Sequence, residues 1–96
     1  HDHLYARTYL MKGMKSTGNA SGLKKQGETL YLSGTSSTGS KFYEKESGKK
    51  GYIAFYDGET EKTPLISAIT IQGKTLTIKT VRTTDMSVFD EITIRK

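Results

Sequence analysis

Short stretches of alternating apolar and polar residues, separated by glycine-containing turns, most constrain the fold of this chain. The clearest two run from Leu65 to Ile71 and from Lys74 to Val81, on either side of Gln72-Gly73. Such alternation is typical of a β-strand with one buried face, and two strands around a short glycine turn predict a hairpin. Because 96 residues suffice for one small core, we expect a single β-domain over residues 1–96.

Similar stretches recur along the whole chain. Strand-like patterns cover residues 3–11, 28–33, 41–45, 52–56, 65–71, 74–81 and 89–95. About seven short strands predict an all-β fold, either a small antiparallel meander barrel or a sandwich. Asp57-Gly58 is a further hairpin signal. Phe89 lies three residues before Ile92, so these two side chains point to opposite faces of a strand unless a β-bulge intervenes.

The composition excludes several other classes of protein. The chain contains no Cys, which rules out disulfide bonds and thiolate metal sites. No apolar run approaches the roughly 18 residues of a transmembrane helix. The abundance of Thr and the short alternating stretches argue against a helical bundle.

The net charge of +5 belongs to the first half of the chain. Residues 1–50 hold nine basic and four acidic side chains, whereas residues 51–96 hold six of each. A one-sided basic excess is typical of proteins with an anionic partner. The alternative is that the lysines only solubilise loops and discourage the pairing of exposed strand edges.

Basic loops rich in Gly and Ser form the predicted binding surface, because loops on a rigid sheet commonly carry function. These loops cover residues 12–27, 34–41 and 47–51, and the expected partner is a protein or a small ligand, with anionic compounds among the options. Tyr is enriched at interfaces, although strand packing explains half-buried aromatic residues equally well. The candidate binding residues are Tyr31, Lys41, Phe42, Tyr43, Lys49, Lys50, Tyr52 and Tyr56.

Nucleic-acid binding is an alternative function. The segment from Lys50 to Tyr56 is similar to the aromatic strand of RNA-recognition and cold-shock domains, in which two rings on one face stack on bases. Here Ile53 is an extra residue, so Tyr52 and Phe55 fall on opposite faces of a regular strand. Tyr52 and Tyr56 still share a face, and nucleic acid is therefore kept as the weaker of the two partner classes.

Catalysis has little support in the sequence. The only histidines are His1 and His3, both at the amino end, and there is no Cys nucleophile. The remaining candidates for acid–base chemistry are carboxylates that we expect in solvated turns, namely Asp57, Glu59, Glu61, Asp85, Asp90 and Glu91. We therefore predict a protein that is not an enzyme and that uses no cofactor.

The amino end offers one candidate metal site. A free amine, two backbone amides and an imidazole at the third position can hold Cu(II) or Ni(II) in a square plane of nitrogens. His3 stands at the third position, and His1 could supply another nitrogen. Both roles require that His1 is the true amino terminus. A remnant of a tag or linker is the alternative explanation of these histidines.

One segment resembles a known family. The stretch from Leu30 to Tyr43, followed by Tyr52 to Phe55 and Gly58-Glu59, is similar to the bacterial periplasmic and membrane-bound inhibitors of C-type lysozyme. The resemblance implies a small lipocalin-like barrel whose inhibitory loop would map onto Thr38, Gly39, Lys41 and Phe42. The paired cysteines and the strand Trp of that family are absent here, and Asp57 stands where the family has a Lys.

The expected location is outside the cytoplasm. The chain begins with His1 rather than Met, as a processed chain or an excised domain does. The absence of Cys and the abundance of Thr, Ser, Gly and Lys fit a secreted or periplasmic protein, including one made as a lipoprotein precursor.

Overall fold

Ten β-strands make up the regular structure of the described residues. The computed structural model describes residues 4–37, 50–57 and 62–96, and only the backbone of Tyr56 and Asp57. The strands are β1 (Tyr5–Thr8), β2 (Met11–Lys12), β3 (Lys15–Ser16), β4 (Gly22–Leu23), β5 (Glu28–Thr29), β6 (Leu32–Ser33), β7 (Ile53–Asp57), β8 (Leu65–Gln72), β9 (Thr75–Arg82) and β10 (Val88–Arg95). This confirms the predicted all-β fold. The described part of the chain has no helix with the length and hydropathy needed to cross a membrane.

The strands form three sheets, in a sandwich-like arrangement. The largest sheet has the order β4-β10-β9-β8, and the two smaller sheets have the orders β6-β1-β7 and β3-β2-β5. All pairs are antiparallel except β4 with β10. Within the described residues none of the three sheets closes into a barrel, so the sandwich is the alternative that fits.

The carboxyl-terminal meander of β8, β9 and β10 has the longest strands. Gln72 pairs with Thr75, so Gly73 and Lys74 form a two-residue turn, and Gly73 has a φ of 59°. A hairpin turn with Gly at its first central position is one of the tight turns that match strand twist. The hairpin predicted at this position is therefore confirmed. The hairpin signal at Asp57-Gly58 falls at the edge of the described residues, because Gly58 lies outside them.

The amino-terminal half forms a bent ribbon. β1 and β2 pair with β6 and β5, respectively. Four residue steps separate Arg7 from Met11, but only three separate their partners Leu32 and Thr29. The extra residue on one strand is a bulge, which bends a ribbon. The bulge includes Leu10, whose side chain is fully buried.

The basic segment 12–27 is more ordered than the expected loop. β2 turns through Gly13, with a φ of 61°, into β3, and the two strands pair. The chain then returns as β4 along the edge of β10. Gly in a left-handed conformation makes such tight turns possible. The prediction of a loop over this whole segment was wrong, because short turns of Gly and polar residues also connect strands.

A buried cluster joins the β6-β1-β7 sheet to the large sheet. The rings of Tyr5, Phe55 and Phe89 meet edge to face, with centroids 5.3–5.7 Å apart. Beside them Arg7 forms a bidentate ion pair with Asp90, with Nε–Oδ2 and Nη2–Oδ1 distances of 2.7 and 3.0 Å. Both charged side chains are buried. Asp90 was expected in a solvated turn, and that expectation was wrong because Arg7 compensates its charge inside the core.

Candidate functional site

One face of the large sheet carries two apolar rows at its end near the Gly73 turn. The register aligns Ile69 with Ile78 and Ile78 with Ile92. It also aligns a second row at the end of the sheet, which consists of Ile71, Leu76 and Ile94. Residues directly opposite in antiparallel strands point to the same face. The sheet therefore presents a continuous aliphatic surface on this side.

The β6-β1-β7 sheet covers only part of this face. Thr80 lies next to the buried cluster and is fully buried, and Ile92 is 2% exposed. The edge strand β8 and the end of the sheet near Gly73 are not covered, and there Ile69 is 63% exposed and Ile71 is 71% exposed. Contiguous exposed apolar surface is typical of binding and interaction sites.

One wall of a cleft of about 890 Å³ consists of Ile78 and the end row of Ile71, Leu76 and Ile94. The opposite wall is the chain segment that contains β5, from which Glu28, Thr29 and Leu30 line the space. Small-molecule sites typically measure roughly 300–1,000 Å³, with apolar walls and a few polar groups. The cleft between Leu30 and Ile71 has this size and this lining.

Three lysines lie at one end of the cleft, next to the end of the large sheet. The backbone N–H of Lys24 donates to the carbonyl of Arg95 at 2.7 Å, and that of Lys96 donates to the carbonyl of Lys74 at 2.9 Å. These bonds place Lys24, Lys74 and Lys96 at the same end of the cleft, which all three line. Among the residues that the structure describes, no acidic side chain forms an ion pair with them.

The one carboxylate in the lining supports a turn of the chain. Glu28 is 5% exposed, and its Oε2 accepts the backbone N–H of Lys25 at 2.9 Å. The backbone N–H of Glu28 in turn donates to the carbonyl of Lys25. Three lysines against one glutamate leave the lining with an excess of positive charge. The cleft therefore combines an aliphatic floor with a positively charged end.

The buried cluster of Arg7 and Asp90 has perturbed ionisation but a structural role. Burial opposes the ionisation of Asp90, but hydrogen bonds from Arg7 and Tyr5 and the charge of Arg7 outweigh it and lower the Asp90 pKa. The hydrogen bond to Asp90 raises the pKa of Arg7. Burial raises the pKa of Tyr5 to about 12. The hydroxyl of Tyr5 donates to Asp90 at 2.8 Å, so these groups satisfy one another in the core.

Four of the predicted binding residues lie in the described part of the chain. Tyr31 and Tyr52 accept hydrogen bonds at their carbonyls from the backbone N–H groups of Thr8 and Tyr9. They therefore flank the end of β1 from opposite sides, and their side chains are 58% and 45% exposed. Lys50 is exposed in the turn before β7, and Tyr56 is a backbone partner of Ala6. None of the four lines the cleft.

The other predicted site residues lie outside the described residues: Lys41, Phe42, Tyr43, Lys49, His1 and His3. The loop that carries the resemblance to lysozyme inhibitors, Thr38 to Phe42, lies there as well. Within residues 4–37, 50–57 and 62–96, no cluster of three His, Asp or Glu side chains could hold a metal ion.

Sequence reasoning missed the cleft, although part of the signal was visible. Ile69 and Ile71 alternate in one predicted strand, and Leu76 and Ile78 alternate in the next. The pattern identified an apolar face but not which part of it stays uncovered. Lys24 comes from the predicted basic loop 12–27, whereas Lys74 and Lys96 belong to the half of the chain with balanced charge. Lys24 comes near Lys96 through the parallel pairing of β4 with β10, and Lys74 does so through the antiparallel pairing of β9 with β10.

Comparisons with known proteins return no relatives for this chain. No protein-family model, no curated protein sequence and no solved structure matches it.

Proposed function

We propose that this protein is a non-catalytic binding module whose cleft takes a small ligand with an apolar body and an anionic group. The observation that supports the proposal most directly is the cleft of about 890 Å³, which has an aliphatic floor and three lysines at one end. The apolar body would lie on Ile71, Leu76 and Ile94. The anionic group would lie near Lys74 and Lys96.

The apolar rows supply the binding energy in this proposal. Ile71 is largely exposed, and its row neighbours Leu76 and Ile94 are half-buried. Transfer of a methylene group from water to such a surface is favourable by about 0.8 kcal/mol when burial is complete. Affinity should therefore rise with the length of an alkyl chain until the chain fills the cleft.

The lysines select the charge of the ligand. They lack acidic partners in the described structure, so an anion would not have to displace an existing ion pair. A hydrogen bond to a charged group contributes about 1.5–3 kcal/mol when it is shielded from water, and an exposed ion pair contributes about 0.2–1 kcal/mol. Lys74 and Lys96 are exposed, so we expect the lower range for each.

The proposal can be tested with anilinonaphthalene sulfonate, which is an apolar anion that fluoresces when it leaves water. The chain has no Trp, so protein fluorescence interferes little. We expect saturable binding that linear alkyl carboxylates displace, with affinity rising along the chain-length series. Alkyl alcohols of the same length should displace the dye less well, because they cannot pair with the lysines.

Charge reversal supplies the matched variants. Lys74→Glu and Lys96→Glu should each weaken carboxylate binding by roughly three- to tenfold, as loss of an exposed ion pair and added repulsion imply. Lys79→Glu is the control, because Lys79 is exposed on the same sheet but does not line the cleft. Equal effects of all three variants, or equal displacement by alcohols and carboxylates, would contradict the proposed site.

A further inference from the structure

We infer that the free edge of β8 binds the same edge of a second copy of this chain, in antiparallel register with Ile69 on the twofold axis. β8 is the outer strand of the large sheet, and in the described residues its only strand partner is β9. An exposed edge of this kind offers unpaired backbone donors and acceptors to another strand. The inference concerns this edge and does not depend on the ligand proposed for the cleft.

The register with β9 identifies the backbone groups that face outward. The carbonyl of Pro64 accepts the N–H of Thr83, so Pro64 and Thr83 are a hydrogen-bonded pair. Such pairs alternate along antiparallel strands, and the even-numbered residues of β8 therefore bond to β9. The odd-numbered residues point the other way, as the bond from the N–H of Leu65 to the carbonyl of Ser36 shows.

The outward groups define one symmetric register. Ser36 already accepts from Leu65 at one end of the edge. The other outward-facing residues, Ser67, Ile69 and Ile71, have no backbone partner on this edge among the residues that the structure describes. In an antiparallel pair centred on Ile69, Ser67 of one copy lies opposite Ile71 of the other, and Ile69 lies opposite itself. Each of these pairs can exchange two backbone hydrogen bonds. This register uses all three of these residues and leaves the bond to Ser36 intact.

The side chains of β8 favour a second copy as the occupant. Residues 65–72 contain no charged side chain and no Pro, although charged residues and Pro are the usual protection of an exposed edge. A copy of the same strand therefore meets no like charge, despite the net charge of +5. The twofold axis also places the exposed Ile69 side chains against each other, on the apolar face of both sheets.

Cysteine cross-linking tests the register directly, because the natural chain has no Cys. Opposite residues in a hydrogen-bonded pair have Cα atoms about 5.5 Å apart, which suits a disulfide. We expect Ile69→Cys to form a covalent dimer under mild oxidation. Ile66→Cys is the control: position 66 is similarly exposed, but in this register it faces Gln72 of the other copy, so the two introduced thiols do not meet.

Sedimentation equilibrium measures the association itself. We expect the unmodified protein to show a concentration-dependent monomer–dimer equilibrium, and Ile69→Lys to weaken the dimer by about tenfold or more, since it sets two positive charges against each other. Ile66→Lys should weaken it much less. Ile69 does not line the cleft, so Ile69→Lys should leave dye binding unchanged. A monomer at every concentration, or equal cross-linking of both cysteine variants, would overturn the inference.

Discussion

The buried ion pair between Arg7 and Asp90 makes the sharpest prediction about stability. The two side chains are 8% and 9% exposed and are joined by two hydrogen bonds. Asp90→Asn keeps the shape of the side chain but leaves the guanidinium of Arg7 buried without a counter-charge. Removing one partner of a buried pair typically costs about 3–5 kcal/mol. A domain of this length has roughly 5–14 kcal/mol of stability in total, so the substitution should remove a large part of it.

Urea denaturation followed by circular dichroism would measure this loss at neutral pH. Glu91→Gln is the matched control, because Glu91 is the neighbouring residue on the exposed face, where substitutions usually change stability by less than about 0.5 kcal/mol. The double variant Arg7→Met with Asp90→Leu should lose less stability than Asp90→Asn alone, since it leaves no buried charge.

The pH dependence gives a second measure of the same pair. The pKa of Asp90 is lowered in the folded protein, so its contribution is present above the unfolded value of about 3.9 and is lost as pH falls through the lower folded value. The difference between the natural protein and Asp90→Asn should therefore shrink in acid. A loss of less than about 1 kcal/mol at neutral pH, similar to that of Glu91→Gln, would refute this account of the pair.

Two other positions give separate predictions. Burial raises the pKa of Tyr5 to about 12. The contribution of the neutral phenol to stability is therefore present below the unfolded pKa of about 10, and roughly 2–3 kcal/mol is lost as the pH rises from the unfolded to the folded pKa. Tyr5→Phe should flatten the alkaline limb of a stability–pH curve, and an unchanged limb would contradict this. Gly73 has a φ of 59°, and a Cβ added there would meet no atom within 4 Å. Gly73→Ala should therefore lower the free energy of unfolding by about 1–2 kcal/mol through backbone strain alone. Gly34 has neither a positive φ nor a close neighbour, so the control Gly34→Ala should not lower it.

Local patterns predicted the carboxyl-terminal meander well because its strands are neighbours in sequence. The turn at Gln72-Gly73 and the alternation on both sides of it lie within one short window, and β8 and β9 pair as that window indicates. The amino-terminal half was harder to predict. Its strands are only two to four residues long, and a two-residue strand has too few side chains to show an alternating pattern.

The buried charges could not be predicted from local patterns. Arg7 and Asp90 lie 83 residues apart in sequence, and each looks like an ordinary solvated residue in its own strand. Burial of a charge is tolerable only with a hydrogen-bonded counter-charge, and nothing in either segment indicates the other. The lysines of the cleft raise the same difficulty, since Lys24 reaches Lys96 only through the pairing of β4 with β10.

The bulge near the start of β10 connects the buried cluster with the cleft. The register with β9 shifts between Val88 and Asp90, so Phe89 is the extra residue of the bulge. Because of this extra residue, Phe89 can lie on the same face of the strand as Ile92. Both Phe89 and Asp90 do contact Tyr5, at a ring distance of 5.3 Å and a hydrogen-bond distance of 2.8 Å. In a regular strand two consecutive side chains would point to opposite faces. The bulge thus allows the aromatic contact and the ion pair to lie on the same side, while the regular strand beyond it keeps Ile92 in the core and Ile94 on the floor of the cleft.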